Sequence, residues 1–336
     1  RSHFGSRQHL GCFLSPKGAG RASAAAAMPT YLVTGGAGFI GSHMVEALLA
    51  RGDGTVVRVV DDLSTGKREN VPEGVELTEG DVADLELMRS VMKGCDGVFH
   101  LAAVASVQKS NEDWLGTHRA NLTATITVFE VARTASASGG PIPVIYASSA
   151  AVFGANQECP QSEDSATLPL TAYGADKLAC ELHARVAAHV HGVNSTGFRF
   201  FNVYGARQDP SSPYSGVIAI FASRLAAGKG LTIFGDGKQT RDFVYVKDVV
   251  KYLMAAMMDK PAQGSEVYCI CTGRTTTLLE LAGTLAEVIG AKPEIAHGEE
   301  RKGDIRTSFG NPAKLQAKFG FGADTTLKEG LAQMGI

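Results

Sequence analysis

The chain has 336 residues, of which 44% are hydrophobic and 20% charged, with a formal net charge of −2. That length suits about two domains around a sizeable core, and the near-neutral balance offers no long-range pull toward nucleic acid or an anionic membrane. No run reaches the roughly 18 consecutive apolar residues of a spanning helix, so neither nucleic acid nor a membrane is expected as a partner. The six cysteines include no CxxC pair, and Cys269 and Cys271 alternate along one strand-like run. Buried thiols in a reducing compartment fit this pattern better than a metal site, and no metal is expected.

Residues 1–27 carry three arginines, one lysine and no acid; the first acidic residue is Glu46. An Arg/Ser/Ala-rich, acid-free leader has the composition of an organelle transit peptide. Non-native sequence or read-through ahead of Met28 fits equally well. Either way the segment is expected to be disordered and lies outside the fold. The compartment is accordingly expected to be the cytoplasm, or an organelle if the leader is an address.

From Pro29 onward, strand-like and helix-like text alternate. YLVTG, VVRVVDD, VELTEGD, GVFHLAA and PVIYASS are short runs rich in β-branched residues, with HMVEALLAR and DLELMRSVMKG among the helical patterns between them. This alternation predicts an α/β fold with a doubly wound parallel sheet and right-handed crossovers. TASASGGPIP is a loop before the fifth strand. After residue 200 the rhythm loosens, beginning with the turn-rich GARQDPSSPYSG. We place a sheet domain at 28–200 and a smaller C-terminal domain mainly at 201–336, with a segment at about 236–260 returning to the sheet domain.

The first strand runs into TGGAGFIGSH, which sets Gly35, Gly38 and Gly41 in a GxxGxxG spacing. Such a loop lets backbone N–H groups approach a pyrophosphate at a helix N-terminus. A glycine trio alone is weak evidence, but Asp61 ends the second strand 20 residues after Gly41. An acid there accepts hydrogen bonds from an adenosine ribose and repels a 2′-phosphate, which favours NAD over NADP. Lys67 and Arg68, just downstream, keep NADP open.

TAYGADKLACELHARVAAHV places Tyr173 and Lys177 on one face at the start of an amphipathic helix. A phenol unaided is a poor base at neutrality, and an ammonium beside it favours its phenolate form. By itself, YxxxK is more often a surface pattern of no consequence. Preceded by a dinucleotide loop and by SSAAVFG, with Ser149 to donate to a substrate oxygen, it reads as an alcohol-oxidising trio.

The GxxGxxG spacing, GDV at 80–82, HLAAVASV from His100, Asn121 in NLTAT, SSAAVFG and the Tyr173/Lys177 pair come in an order that resembles the extended short-chain dehydrogenase/reductase superfamily. The narrower resemblance is to the NAD-dependent epimerase/dehydratase family and, within it, to UDP-glucose and UDP-N-acetylglucosamine 4-epimerases. It spans nearly all of residues 29–334 and rests further on FRFFNVYGARQDP, SPYSGVI, LTIFGDGKQTRDFVYVKDVV and ERKGDIRTSFGNPAKLQAKFGF. It implies a Rossmann cofactor domain that binds NAD through Gly35, Gly38, Phe39, Ile40, Gly41, Asp61, Asp62, Asp81, Val82, Leu101, Ala102, Ala103, Asn121, Tyr173, Lys177 and Phe201. Ser149, Tyr173 and Lys177 would be catalytic. The resemblance further implies that a UDP-sugar is held by Ser149, Tyr173, Asn202, Val217, Phe234, Arg241, Arg301, Asp304 and Ser308. Of these, Asn202, Arg241 and Arg301 would sit at the diphosphate, Phe234 by the uracil and Asp304 at the uridine ribose. His100 alone reads as a satisfied core histidine.

Missing groups narrow the reaction. Related 4,6-dehydratases carry an Asp–Glu pair where this chain has Ala150 and Ala151, and UDP-glucuronate decarboxylases keep a glutamate in that stretch. Uronate 4-epimerases tend to have threonine at the place of Asn202. What is left is oxidation and re-reduction at C4, giving UDP-glucose/UDP-galactose epimerisation through a 4-keto intermediate. Ser308 stands where a bulky tyrosine restricts some 4-epimerases to plain hexoses, so the acetylated pair UDP-GlcNAc/UDP-GalNAc is also expected. Two departures stand out. Phe153 replaces the tyrosine of VYG, with little consequence expected, and 217–221 lacks the proline and lysine of a VIPKF-like stretch. The rivals are a one-way nucleotide-sugar oxidoreductase with exchangeable cofactor and a non-catalytic NAD-sensing protein. The resemblance also implies a homodimer, paired through helices of the sheet domain.

Overall fold

The computed structural model describes residues 28–209, 216–300 and 305–336. The leader at 1–27 lies outside the described residues, as do Arg301 and Asp304. Through residue 200, six strands are interleaved with helices: β1 (Thr30–Thr34), α1 (Phe39–Leu49), β2 (Val56–Asp61), β3 (Glu76–Glu79), α2 (Leu85–Met92), β4 (Gly97–His100), α3 (Val107–Glu112), α4 (Trp114–His118), α5 (Ala124–Ala132), β5 (Val144–Ser149), α6 (Ala172–His191) and β6 (Ser195–Phe200), with β2 and β3 in succession. Helix starts follow local chemistry. Asp84 caps α2 by accepting from Glu86 N and Leu87 N, and Thr171 caps α6 by accepting from Gly174 N. Between α4 and α5 the chain makes one π-helical turn, Arg119–Thr123.

The remaining elements are β7 (Asn202–Tyr204), α7 (Val217–Ala226), β8 (Leu231–Phe234), β9 (Thr240–Arg241), β10 (Phe243–Tyr245), α8 (Val246–Met258), β11 (Ser265–Ile270), β12 (Thr276–Thr277), α9 (Leu278–Ile289), β13 (Ile295–Gly298), β14 (Thr307–Ser308), α10 (Ala313–Phe319) and α11 (Leu327–Ala332). The main sheet has seven strands in the order β11-β6-β5-β4-β1-β2-β3, and every pairing in it is parallel. Strand β4, reading GVFH, is buried at all four positions, as a central strand covered by helices on both faces must be. One core cluster lies between the sheet and α1, α8 and α10, and a second between the sheet and α2, α5 and α6.

The span expected to return to the sheet domain, about 236–260, contains α8, whose Val249, Leu253 and Ala256 join the first cluster. Strand β11 and helix α10, later in the chain, also lie on that sheet. A third cluster joins α7, β8, α9 and α11. Sheet order reverses between β1 and β4, and open α/β sheets bind ligands in the crevice at such a point.

Candidate active site

Strand β1 delivers the chain into a loop shaped by backbone contacts. Gly35 turns at φ +70° and donates its N–H to the carbonyl of Val60 at 2.8 Å. A Cβ at Gly41 would lie 2.0 Å from the carbonyl oxygen of Gly35, so only glycine lets α1 start this close to the strand. Gly38 stands at the N-cap of α1 without a side-chain cap, and the first turn carries no acid. The first N–H groups of α1 are therefore not taken by a side-chain acceptor at the cap, as an anion site requires. Phe39 and Ile40 open that helix and pack against the third cluster.

Asp61 ends β2 with its carboxylate fixed: Oδ2 accepts from Ala37 N and Oδ1 from Leu63 N, both at 2.9 Å. Burial pushes its carboxyl above the usual range against the pull of those amides. Asp62 turns outward and accepts from the N–H and hydroxyl of Ser64. Arg68, one of the two cations that kept NADP open, is paired with Glu79 at 3.0 Å. Asp81 accepts from Ala83 N and from Arg119, while Val82 is buried. After β4, Leu101 N donates to Thr34 O and Ala102 N to Thr34 Oγ1, carrying 101–103 past the glycine loop. A glycine cradle that a Cβ would fill, with a buried acid at the end of β2, fits the adenosine diphosphate half of a dinucleotide.

The three residues expected to be catalytic lie at the end of β5 and the start of α6. Ser149 closes β5 and accepts from Ala151 N at 3.1 Å, leaving its hydroxyl hydrogen free to point elsewhere. Gly174 sits so close to the following turn, Ala150–Val152, that a Cβ there would come within 2.6 Å of Ala151 O. The first turn of α6, with Tyr173, is thereby pressed onto the end of the strand that bears Ser149. Lys177 is buried, its Nζ 5.9 Å from the Tyr173 ring centre, and donates to Ala147 O at 2.9 Å. Two ammonium protons are left for other acceptors.

His100, behind Lys177, has both ring nitrogens engaged, by Thr34 Oγ1 at 2.8 Å and Thr125 Oγ1 at 3.0 Å. Burial, and then the Lys177 ammonium, push its pKa down to about 3. It is a neutral core histidine, as the sequence suggested. Asn121 lies in the π-helical turn, where its amide clasps Val104 through Val104 N (2.8 Å) and Val104 O (3.3 Å). Its carbonyl accepts from Thr125 and Cys180. It therefore ties the segment after β4 to α5 and α6.

Four of the sequence-predicted substrate residues, Asn202, Val217, Phe234 and Arg241, line one cleft of about 270 Å³. Asn202 is anchored through Nδ2 to Asp242 O at 3.2 Å, and Arg241 Nη1 donates to the carbonyls of Thr240 and Ile305. Ser308 pairs in register with Arg241, from β14 to β9. Phe201, expected at the cofactor, is in the core against Phe153. Sequence reasoning passed over Gln239 and Leu278, which share the cleft, and Asp236 and Arg306, which bridge bidentately beside a second hollow of about 140 Å³. Gln239 was within sight, as a buried amide inside the quoted GDGKQTRDF run.

Residues 31–271 match the NAD dependent epimerase/dehydratase family. The chain belongs to that family. It is an enzyme of the family, and NAD is its cofactor. Among curated relatives, a UDP-glucose 4-epimerase of Mycolicibacterium smegmatis is 36% identical over 309 residues, covering 90% of this chain and 96% of that one. The fold superimposes on a UDP-N-acetylglucosamine 4-epimerase from Methanobrevibacter ruminantium, solved with UDP-N-acetylmuramic acid, with a TM-score of 0.85 and 33% identity, covering 91% and 97% of the two chains. It likewise matches a Thermus thermophilus UDP-glucose 4-epimerase solved with NAD, with a TM-score of 0.81 and 36% identity over the same shares. Among the described residues, no helix of this family member is long and apolar enough to cross a membrane, and no cluster of three His, Cys, Asp or Glu could hold a metal.

Proposed function

We propose that the protein interconverts the C4 epimers of a UDP-hexose, UDP-glucose and UDP-galactose, through a 4-keto intermediate. The observation that carries this reading is the make-up of the turn that receives Tyr173. It is Ala150–Val152, so the phenol, the Ser149 hydroxyl and the Lys177 ammonium stand there without a neighbouring acid and base pair for dehydration. NAD, held by the glycine loop and Asp61, would supply a reversible acceptor for the C4 hydride, with no net redox change. Tyr173 takes the 4-hydroxyl proton and returns it. Ser149 donates to the same oxygen, and Lys177, fixed by Ala147 O, has protons to spare for ribose hydroxyls. The polar side chains of the 270 Å³ cleft, Asn202 and Arg241, suit a diphosphate, and Phe234 offers a base a flat face. Anchoring at the nucleotide end leaves the sugar free to turn over on its tether.

Incubating the purified full chain with UDP-galactose and no added dinucleotide tests this. UDP-glucose should accumulate to equilibrium without lasting nicotinamide absorbance. A requirement for added NAD(P), with stoichiometric reduction of it, would replace the epimerase with a one-way oxidoreductase. The small side chain of Ser308, in register with Arg241, supports the acetylated pair as further substrates.

We infer a homodimer as well. Leu182, Val186 and Val190 recur every fourth residue on α6 and are all more than half exposed, as are Trp114 and Leu115 of α4, which suits a self-complementary apolar face. Val186→Glu should yield monomers by light scattering; an unchanged mass would rule this face out.

A further inference from the structure

Behind Ser149 lies a group of buried polar side chains that the proposed mechanism does not use. Glu181 is on α6 one turn beyond Lys177 and two beyond Tyr173, so the three share a face. Its carboxylate is gripped bidentately by Arg199 of β6, with Nε to Oε1 at 2.9 Å and Nη2 to Oε2 at 2.8 Å. The hydroxyl of Ser148, the residue before Ser149, donates to Glu181 Oε1 at 2.5 Å. In the sheet Ser148 pairs directly with Arg199. Arg199 Nη1 reaches on to the carbonyl of Glu163 at 3.2 Å, and its Cζ lies 5.1 Å from the centre of the Phe153 ring. Both charged side chains are at most 7% exposed.

A buried ion pair of this kind is weak evidence for stability, because desolvating two charges offsets their attraction, and apolar replacements are often neutral or stabilising. What it does supply is direction. Apolar packing at the same place would hold β5, β6 and α6 together without fixing how the end of β5 is set against the first turns of α6. Bidentate guanidinium–carboxylate geometry fixes it, since both groups are planar forks. Phe153, where the family's pattern has tyrosine, presents a ring that covers the guanidinium and shields the pair from water.

We propose that Glu181 and Arg199 are positioning residues: acting through Ser148, they set Ser149 against Tyr173 and Lys177 for the proton transfer. The kinetic part of this inference rests on the proposed epimerase activity. The deciding variant is Glu181→Leu/Arg199→Met, which replaces the pair by apolar side chains. Thermal stability at or above wild type, retained NAD and KM within about twofold are expected, with kcat for UDP-galactose lowered at least about tenfold, because small misplacement of reacting groups is costly. Arg199→Lys serves as a second variant, since it keeps the charge and loses the fork. It should lower kcat in the same sense with KM unchanged.

A merely structural pair would show the reverse, a lowered Tm with kcat untouched, and unchanged kcat in either folded variant overturns the proposal. A crystal structure of the double variant gives a readout that needs no turnover. Ser149 should leave the place where it accepts from Ala151 N, and a Ser149 that superimposes on the wild type also overturns the idea. If wild-type protein leaves UDP-galactose untouched, the proposed activity fails, while the position of Ser149 still decides this point.

Discussion

The glycine loop after β1 is shaped by main chain, with Gly35, Gly38 and Gly41 packed against neighbouring backbone atoms and Asp61 held by two amides. The cleft of Asn202, Val217, Phe234 and Arg241 is walled instead by side chains from short, separate elements. The contrast teaches where tolerance lies. A backbone-built site is unforgiving, since the addition of one methyl group displaces main chain. A side-chain-built site can be trimmed residue by residue, with losses in affinity rather than in fold.

Breaking the proposed catalytic trio of Ser149, Tyr173 and Lys177 should have the largest effect. Tyr173→Phe should lower kcat by about 10²–10⁴, as removal of a general base does, with fold and bound NAD retained. A rapid-quench assay of UDP-galactose conversion measures this, and undiminished turnover would refute the assigned role. Next comes Gly41→Ala in the backbone-built region. With 2.0 Å between the new Cβ and Gly35 O, the loop must shift, and overpacking of this kind costs about 1–3 kcal/mol. NAD recovered with the purified protein should fall at least about tenfold alongside a lower Tm. Full occupancy would contradict the picture of a cradle without slack.

Arg241→Ala, in the side-chain-built region, should raise KM about 10- to 100-fold, the size of a lost charge-assisted hydrogen bond, with NAD content and Tm close to wild type. Initial rates across a range of UDP-galactose concentrations separate KM from kcat. A fall in kcat alone would move Arg241 from holding substrate to shaping the loop, where it already binds Ile305 O. Smaller still is Ser308→Tyr. It should reduce turnover of UDP-GalNAc by about tenfold and spare UDP-galactose, since an added ring blocks only the larger sugar. Equal loss on both would remove Ser308 from specificity.

The same contrast explains how far the sequence could be read. A backbone-built site leaves a local signature, because glycine spacing, a following acid and a YxxxK helix face all lie within short windows. The five strands ahead of residue 150 were legible for the same reason: each is a contiguous β-branched run bounded by turns. Strand β11 joins, and helices α8 and α10 pack on, a sheet formed mostly earlier in the chain, a return that no local sequence window discloses. Gln239 and Leu278 reach the cleft only once β8, β9 and α9 meet. The Glu181–Arg199 pair depends on the β5–β6 register and on α6 lying over it, neither of which an 18-residue gap discloses. Phe201 was expected at the cofactor, and the structure has it buried against Phe153 and beneath Gly310.

The two regions should also differ in their response to acid. His100 belongs to the backbone-built half, fully buried between Thr34 and Thr125, with a pKa pushed down to about 3 by burial and by Lys177. In the unfolded chain the same imidazole takes a proton near its ordinary pKa of about 6.5. Between those values the unfolded state binds more protons, so stability present above about pH 6.5 is lost progressively as pH falls toward 3. From pH 7 to pH 5 this amounts to on the order of 2 kcal/mol. His43, whose pKa is also lowered by burial and then by Arg207, adds to the slope in the same direction. Replacing His100 by asparagine, which can still bond to one of the two threonines, removes its share. Urea unfolding at pH 7 and pH 5 should show wild type losing about 2 kcal/mol more than His100→Asn. Equal losses would mean that the ring accepts its proton within the fold, and that the polar contacts beside Lys177 rearrange rather than resist.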